Sequence, residues 1–391
     1  MPKIDLKNRT HLLVMMSYMS LLILGLMDNI RGPFYPDLLS DLSLSATKGS
    51  LFFAVASFAA LGGNFLGSFL LGKVTAHGLM NFSVMGLGVG FYAIGWSEGF
   101  QALIGSCILF GVHFGLLNVA QNVVVQKNAP LMYRRRIFNG LHAMYGLAAL
   151  MAPLLASGFI EVGWNWKKSF MAVGLISALM GFSFLIFGFS WKEEKLQSEE
   201  HADNQQPLHW KPALLLATAL AVYIMGELSL STRYPLWVRE SLGLSAQSAN
   251  FYLALFCGGL FLGRLLFTFV HFHSLSNKVI LALSAGLGMV AYALGLLVHP
   301  VMAGFAGFFM GPFFPVALDE MSHRFGIHAS RVIGWSITLG SVLVVTMHFV
   351  LGVLTDHYGI ERSLWMGPSA LLGAVILILL FPKGSDPLQR D

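Results

Sequence analysis

Long apolar runs recur along the whole chain, separated by short polar loops, and they limit what it can fold into. A membrane helix needs about 20 mostly apolar residues to cross a bilayer, and stretches of that kind follow one another from residue 11 to residue 381. Only 11% of the 391 residues are charged, against about 25% in an average soluble domain. A soluble globule could not hide this much apolar surface, so the sequence predicts an all-α protein embedded in a lipid bilayer.

The apolar runs number twelve and fall into two sets of six. The first set is expected near residues 11–36, 50–72, 79–97, 101–126, 137–160 and 169–190. The second set is expected near residues 211–233, 249–271, 278–298, 301–322, 329–353 and 364–381. The polar segment between the sets, "WKEEKLQSEEHADNQQPLHW", has the composition of a flexible linker. The sequence therefore predicts an N-terminal six-helix bundle (1–190), a cytoplasmic linker (191–210) and a C-terminal six-helix bundle (211–391).

Lysine and arginine are distributed unevenly among the loops. If both termini lie on one side of the membrane, that side carries 17 of the 24 basic residues and the other side carries 7. Basic residues are enriched in cytoplasmic loops, so we expect both termini in the cytoplasm and the protein in the inner (cytoplasmic) membrane. The N-terminal apolar run is too long for a signal peptide and lacks a small-residue cleavage motif, so we expect it to be the first membrane helix.

The two sets of helices carry a weak internal repeat at an offset of 200 residues. The stretch "FYPDLLSDLSLSATKGSLFFAVASF" from Phe34 is similar to "YPLWVRESLGLSAQSANFYLALFCG" from Tyr234. Just upstream of these stretches, Asp28 and Glu227 lie within one position of each other in the repeat. Duplicated halves of this kind are typical of membrane transporters.

Twelve spans, a 6+6 repeat, a polar central linker and cytoplasmic termini together resemble the major facilitator superfamily. Local sequence fits as well, in "GRLL" at Gly263–Leu266, "GPFFP" at Gly311–Pro315 and "RRRIFNGLHAMYG" before the fifth span. The loop after span two is "GKVTAHG", which lacks the Asp and Arg of the superfamily's usual pattern. The resemblance implies two pseudo-symmetric six-helix bundles that transport a solute by alternating access.

Within the superfamily, the chain is loosely similar to the fucose:proton symporters. That branch has an acid in span one shortly before a proline, and here Asp28 lies before Pro33. Its fourth span carries an acid–x–x–x–Asn pattern, and this chain has Asn118 and Asn122 in that place. The resemblance implies proton-coupled sugar transport, although Asn118 stands where the branch has its second acid.

Ionisable side chains inside membrane spans are informative, because each costs roughly 2.5–3.5 kcal/mol on insertion scales. Asp28 and Arg31 are three residues apart, which places them on one face of a helix. Glu227 follows the apolar stretch "LLLATALAVYIMG" in span seven. We expect Asp28 and Glu227 to carry the coupling proton, with sodium binding to Asp28 as an alternative. Asp28, Arg31 and Glu227 are also expected to contact the substrate.

Other interpretations of these charges are open. Asp28 and Arg31 could be ordinary interfacial charges at the end of a helix. Glu227 could form a structural salt bridge, for example with Arg233. Under either interpretation the acids would take no part in transport.

Span four carries a stripe of neutral polar side chains. Asn118 and Asn122 fall within one arc of the helix, and Gln121 lies beside it. Amides both donate and accept hydrogen bonds, so we expect the stripe to line a substrate cavity, with hydrogen bonds between helices as the alternative. In span five, His142 is expected to bind substrate or relay protons, or else to be a buried structural residue.

A gate is predicted from charges near the cytoplasmic ends of two spans. Arg264 lies toward that end of span eight, and Asp319 and Glu320 lie toward the same end of span ten. An ion pair between Arg264 and these acids would close the inner mouth of a transporter. Independent contacts with the membrane interface are the alternative.

These features predict a monomeric secondary transporter that moves a small polar solute, such as a sugar, across the cytoplasmic membrane. A carrier that exports drugs or lipid-like molecules and a membrane receptor without transport activity are the alternatives. The sequence contains no nucleophile–base pair, metal-ligand spacing or phosphate-binding loop, so we expect no enzyme activity, no cofactor and no metal. The net charge of +5 sits in short loops, which does not favour nucleic-acid binding.

Overall fold

The computed structural model describes residues 6–188, 208–269 and 275–382. Its first seven helices are α1 Leu6–Asn29, α2 Arg31–Asp41, α3 Ala46–Leu70, α4 Ala76–Gly95, α5 Phe100–Asn128, α6 Arg134–Glu161 and α7 Trp166–Gly188. The remaining helices are α8 Trp210–Glu240, α9 Ala246–Phe269, α10 Asn277–Leu297, α11 Met302–Met310, α12 Phe313–Phe325, α13 Ala329–Ser363 and α14 Met366–Leu380. Residues 191–207 of the predicted linker lie outside the described residues.

Ten stretches of the described residues are long and apolar enough to cross a membrane. One of them, Met302–Ser363, is 62 residues long, about three times what one crossing needs. It is interrupted at Gly326, whose φ of 48° lies in the left-handed region that glycine adopts without strain. With this stretch counted as two spans and the shorter apolar helix α14 added, the described residues contain the twelve predicted spans. They contain no strand, as the all-α prediction requires.

Two spans are built from two helices each. The first span passes from α1 to α2 at Ile30, just ahead of Pro33, and the tenth passes from α11 to α12 at Gly311 and Pro312. Proline has no backbone N–H and cannot make the helical hydrogen bond at its position. The first of these breaks places Asp28 in the last turn of α1 and Arg31 at the first position of α2.

Close packing between α3 and α5 depends on small residues. A Cβ atom added to Gly111 or Gly115 of α5 would collide with the backbone carbonyl oxygens of Ala56 or Ala60 on α3. Small residues let membrane helices approach to backbone contact and gain dispersion energy along their length. These two glycines therefore fix the distance between α3 and α5.

The chain divides into two compact units that do not coincide with the predicted bundles. The first unit comprises Met1–Trp191, Ser231–Cys257 and His348–Ser363. The second comprises Lys192–Leu230, Gly258–Met347 and Leu364–Asp391. The first unit thus includes the last third of α8, the first half of α9 and the C-terminal part of α13. The division into bundles at residues 1–190 and 211–391 stays a prediction.

Polar contacts hold these second-half segments within the first unit. Asp356 of α13 accepts hydrogen bonds from the first two backbone amides of α3, at 2.7 and 2.8 Å. A carboxylate at a helix N-terminus satisfies free N–H groups and complements the helix dipole. Arg239 of α8 pairs with Asp37 of α2 at 2.8 Å. Both contacts join helices that are far apart in sequence.

Candidate functional site

Asp28 is bonded to two side chains of the first unit. Its Oδ1 accepts from Nη2 of Arg31, and its Oδ2 accepts from the hydroxyl of Tyr145 on α6 at 2.5 Å. Nε of Arg31 also donates to the backbone carbonyl of Asp28 at 3.2 Å. The side chains of Arg31 and Asp28 are 7% and 21% exposed. The pairing expected from their spacing is present, and the burial of Arg31 makes an ordinary interfacial charge the poorer interpretation.

Glu227 has a comparable environment in the second unit. The hydroxyl of Tyr223, one turn earlier on α8, lies 2.7 Å from its Oε2. Nη2 of Arg264 on α9 lies 3.3 Å from its Oε1. The salt bridge of Glu227 is thus with Arg264, whereas the sequence had suggested Arg233. We call the two groups the Asp28 triad (Asp28, Arg31, Tyr145) and the Glu227 triad (Glu227, Tyr223, Arg264).

The Tyr223 hydroxyl contacts a second oxygen atom. It lies 2.7 Å from the backbone carbonyl of Met310 at the end of α11. One hydroxyl carries one proton, and neither a carbonyl nor an ionised carboxylate can donate. Both contacts are satisfied at once when Tyr223 donates to Met310 and a protonated Glu227 donates to Tyr223. The Glu227 triad therefore offers a partner to each form of the acid, Tyr223 to the protonated form and Arg264 to the ionised form.

The residues of the predicted gate have several partners. Arg264 pairs with Glu227, while Nδ2 of Asn277 donates to Asp319 at 3.3 Å and to Glu320 at 3.1 Å. Each of the two acids also pairs with a basic residue four positions further along α12. The gate stays a prediction, and the contact found for Arg264 links it instead to the Glu227 triad.

The span-four stripe lies on α5. The side-chain amide of Asn122 donates to the backbone carbonyl of Asn118 at 2.6 Å, so it is held within its own helix. Gln121 is completely buried, and both polar atoms of its side chain lack a hydrogen-bond partner among the described residues. An unsatisfied buried polar group costs about 1–3 kcal/mol. The amide of Gln121 therefore has unused hydrogen-bonding capacity among the described residues.

His142 lies on α6, one turn before Tyr145, and its side chain is exposed. Its interpretation as a buried structural histidine is therefore wrong. Contact with substrate and proton relay remain predictions for this residue.

A group of basic side chains in the first unit was missed by the sequence analysis. The guanidinium carbons of Arg233 and Arg31 lie 4.5 and 5.1 Å from the ring centre of Phe53. The ring of His348 stacks on the same phenyl ring at 5.0 Å, with 26° between the planes. We call these four residues the Phe53 cluster. The sequence contained one signal, which is Arg233 at the end of the apolar run of span seven. The neighbouring sequence does not show that this side chain packs on Phe53.

Two known transporters share part of this sequence. The chain is 27% identical over 141 residues to the sodium-dependent glucose transporter 1 of Xenopus laevis, which is 36% of this chain and 28% of that protein. It is 27% identical over 239 residues to the hexuronate transporter of Bacillus subtilis (strain 168), which is 57% of this chain and 54% of that protein. The matches span about a quarter and about half of the relatives' lengths.

The fold is similar to that of a solved transporter, and a family model covers most of the sequence. The crystal structure of a D-xylose-proton symporter matches with a TM-score of 0.77 and 12% identity, over 95% of this chain and 97% of the other. At that identity the likeness establishes the fold alone. The model of the Major Facilitator Superfamily matches residues 18–342. The chain therefore belongs to the Major Facilitator Superfamily of membrane transporters, as its sequence had indicated.

Proposed function

We propose that the protein is a secondary active transporter that moves a small polar solute of the sugar class across the cytoplasmic membrane. It works as a monomer by alternating access and is coupled to protons. The observation that carries the proposal is a carboxylate inside a span of each unit, bonded to a tyrosine and an arginine. Ionisable groups are expensive within a membrane, and a role in transport explains why both carboxyl groups are kept.

Glu227 is the better candidate for the coupling proton. The short contacts of Tyr223 favour its protonated form, and Arg264 at 3.3 Å provides a cation when the proton leaves. Both oxygens of Asp28 accept hydrogen bonds from Arg31 and Tyr145, which favours a permanent negative charge. A proton can drive transport only if it binds the two conformations of the carrier with different affinity. Glu227 meets that requirement, because Tyr223 can bind its protonated form and Arg264 its ionised form.

A sugar-like substrate is supported by the names of the two relatives and by the amide of Gln121. One relative is named for sodium-dependent transport, so sodium is the competing coupling ion. Sodium at Asp28 would have to displace the hydrogen bonds from Arg31 and Tyr145. The contacts of Asp28 therefore argue against sodium at this position.

Transport by purified protein in proteoliposomes tests the proposal. We expect counterflow of at least one labelled sugar among xylose, glucose and glucuronate, and accumulation when a pH gradient is imposed. Accumulation driven by a sodium gradient at constant pH would contradict proton coupling. Folded, correctly inserted protein without counterflow of any of these sugars would contradict the substrate class. Reporter fusions at both ends test the cytoplasmic position of the termini.

A further inference from the structure

The Phe53 cluster presents unused hydrogen-bond donors in the interior of the first unit. Arg31, Arg233 and His348 are each more than nine-tenths buried. Among the described residues, Nη1 of Arg31, both terminal nitrogens of Arg233 and Nδ1 of His348 have no hydrogen-bond partner. Buried polar groups are almost always satisfied in folded proteins. Four such atoms around one ring therefore indicate that something else binds there.

The cluster also carries unbalanced charge. It contains two guanidinium groups, and Asp28 pairs with only one of them. Acids on the same helices have other partners or face outward: Asp37 pairs with Arg239, Asp41 with Lys167, Asp356 binds the α3 amides, and Glu240 and Glu361 are exposed. A buried charge without a counter-charge is strongly unfavourable. The second guanidinium group therefore favours an anion as its binding partner.

Aromatic rings surround the two arginines without using their donors. Arg31 lies over Phe52, Phe53 and Phe110 at 5.6, 5.1 and 5.2 Å, and Arg233 lies over Tyr35 and Phe53 at 4.3 and 4.5 Å. Ring faces attract a cation, which lowers the cost of burying it while no ligand is bound. Both guanidinium groups lie close to the ring of Phe53, and this limits the distance between them. The two arginines therefore concentrate positive charge around one ring.

We propose that the Phe53 cluster binds the anionic group of the transported solute, so that the substrate is an organic anion such as a sugar acid or a sugar phosphate. This inference rests on the proposed transport function and narrows its substrate class. Guanidinium groups bind carboxylates and phosphates through pairs of parallel hydrogen bonds. The two terminal nitrogens of Arg233 supply such a pair, Nη1 of Arg31 adds a single donor, and Nδ1 of His348 adds another when it carries the proton. A hexuronate, the solute named for the Bacillus subtilis relative, carries a carboxylate of this kind.

Matched solutes test the charge requirement. The full-length protein in detergent is titrated with D-glucose, D-glucuronate and D-glucose 6-phosphate, and its melting temperature is followed. We expect one of the two anions to raise the melting temperature at concentrations at which glucose has no effect. A response to glucuronate alone assigns the site to carboxylates, and a response to the phosphate alone assigns it to phosphates. Equal responses to glucose and to both anions would overturn the proposal.

Variants of two arginines on α8 separate binding from structure. We expect Arg233→Gln to weaken anion binding roughly tenfold to hundredfold, the usual worth of hydrogen bonds to a charged group, and Arg233→Lys to restore part of it. Arg239→Gln, which breaks a more exposed pair on the same helix, should leave the affinity unchanged. If Arg233 is only structural, Arg233→Gln will lower the melting temperature without ligand and leave the affinity for the anion intact.

The same variants distinguish failure of this inference from failure of the transport proposal. Binding that needs Arg233 in a protein without counterflow would uphold the anion site and reject transport of these solutes. Counterflow of neutral glucose that is unaffected by Arg233→Gln would reject the anion site and leave the transport function standing.

Discussion

The Asp28 triad and the Glu227 triad use the same three chemical groups in different ways. Each joins a carboxylate in a membrane span to a tyrosine hydroxyl and a guanidinium group. In the Asp28 triad the arginine is three residues away and almost completely buried. In the Glu227 triad the arginine comes from another helix, its side chain is 31% exposed, and it approaches only to 3.3 Å.

The two tyrosines differ as well. Tyr145 donates its hydrogen bond to Asp28, whereas the hydroxyl of Tyr223 is shared between Glu227 and the carbonyl of Met310. The first arrangement has donors on both carboxylate oxygens, which stabilise the ionised form. The second is suited to an acid that gains and loses a proton. Two similar constellations can therefore serve different purposes, and substitutions should separate them.

The largest effect is expected from Asp28→Asn. The substitution leaves Arg31 without its carboxylate in the interior, and removal of one partner of a buried pair typically costs 3–5 kcal/mol. We expect a clear fall in the melting temperature and loss of both counterflow and accumulation. A variant that is as stable as the parent and still exchanges solute would show that this charge is dispensable.

Glu227→Gln should produce a more selective defect. Glutamine can still donate a hydrogen bond to Tyr223, so it imitates the protonated acid, and the fold should be retained. We expect counterflow to persist while a pH gradient no longer drives accumulation, because exchange needs no net protonation change. Accumulation equal to that of the parent would move the coupling proton to another residue.

The sequence alone predicts only some of the contacts that distinguish the two triads. The spacing of Asp28 and Arg31 predicts their contact, because residues three apart share a helix face. Tyr223 and Glu227 are four apart and could have been paired by the same rule. Tyr145 lies 117 positions from Asp28, and its contact depends on how α1 packs against α6. Local periodicity carries no information about that packing.

The fold, like the two triads, was only partly predictable from the sequence. Hydropathy gives the number of spans because each span must satisfy the same bilayer thickness, and proline marks the break before α2. The assignment of the end of α8 to the first unit was not predictable, since it depends on contacts with helices that are far away in sequence. The Phe53 cluster escaped notice for the same reason, because its members come from four separate helices.

A double-mutant cycle sharpens the role assigned to Arg264. Arg264→Gln removes the cation beside Glu227, and because the pair is partly exposed we expect about a tenfold slowing of transport or less. If the pair acts as a unit, Arg264→Gln should have little further effect in a Glu227→Gln background. The same cycle with Asp319→Asn should be additive. Coupling to Asp319 but not to Glu227 would restore the gate predicted from the sequence.

The smallest effects are expected from replacing each tyrosine by phenylalanine, which removes one hydroxyl and keeps the ring. Each change removes hydrogen bonds worth about 0.5–1.5 kcal/mol, or two- to tenfold in a measured constant. Tyr145→Phe takes a donor from an acid that retains Arg31, so we expect slightly lower stability and an unchanged ratio of accumulation to counterflow. Tyr223→Phe removes the acceptor that a protonated Glu227 needs, so that ratio should fall while counterflow changes less.

The two tyrosine variants control for each other, because both lose the same atom next to a carboxylate. Infrared difference spectra across a pH titration add an independent measurement. A protonated carboxyl band that is absent in Glu227→Gln and altered in Tyr223→Phe, but unaffected in Tyr145→Phe, would match the assignment of the proton to Glu227. The opposite dependence, with the band altered only by Tyr145→Phe, would exchange the roles of the two triads.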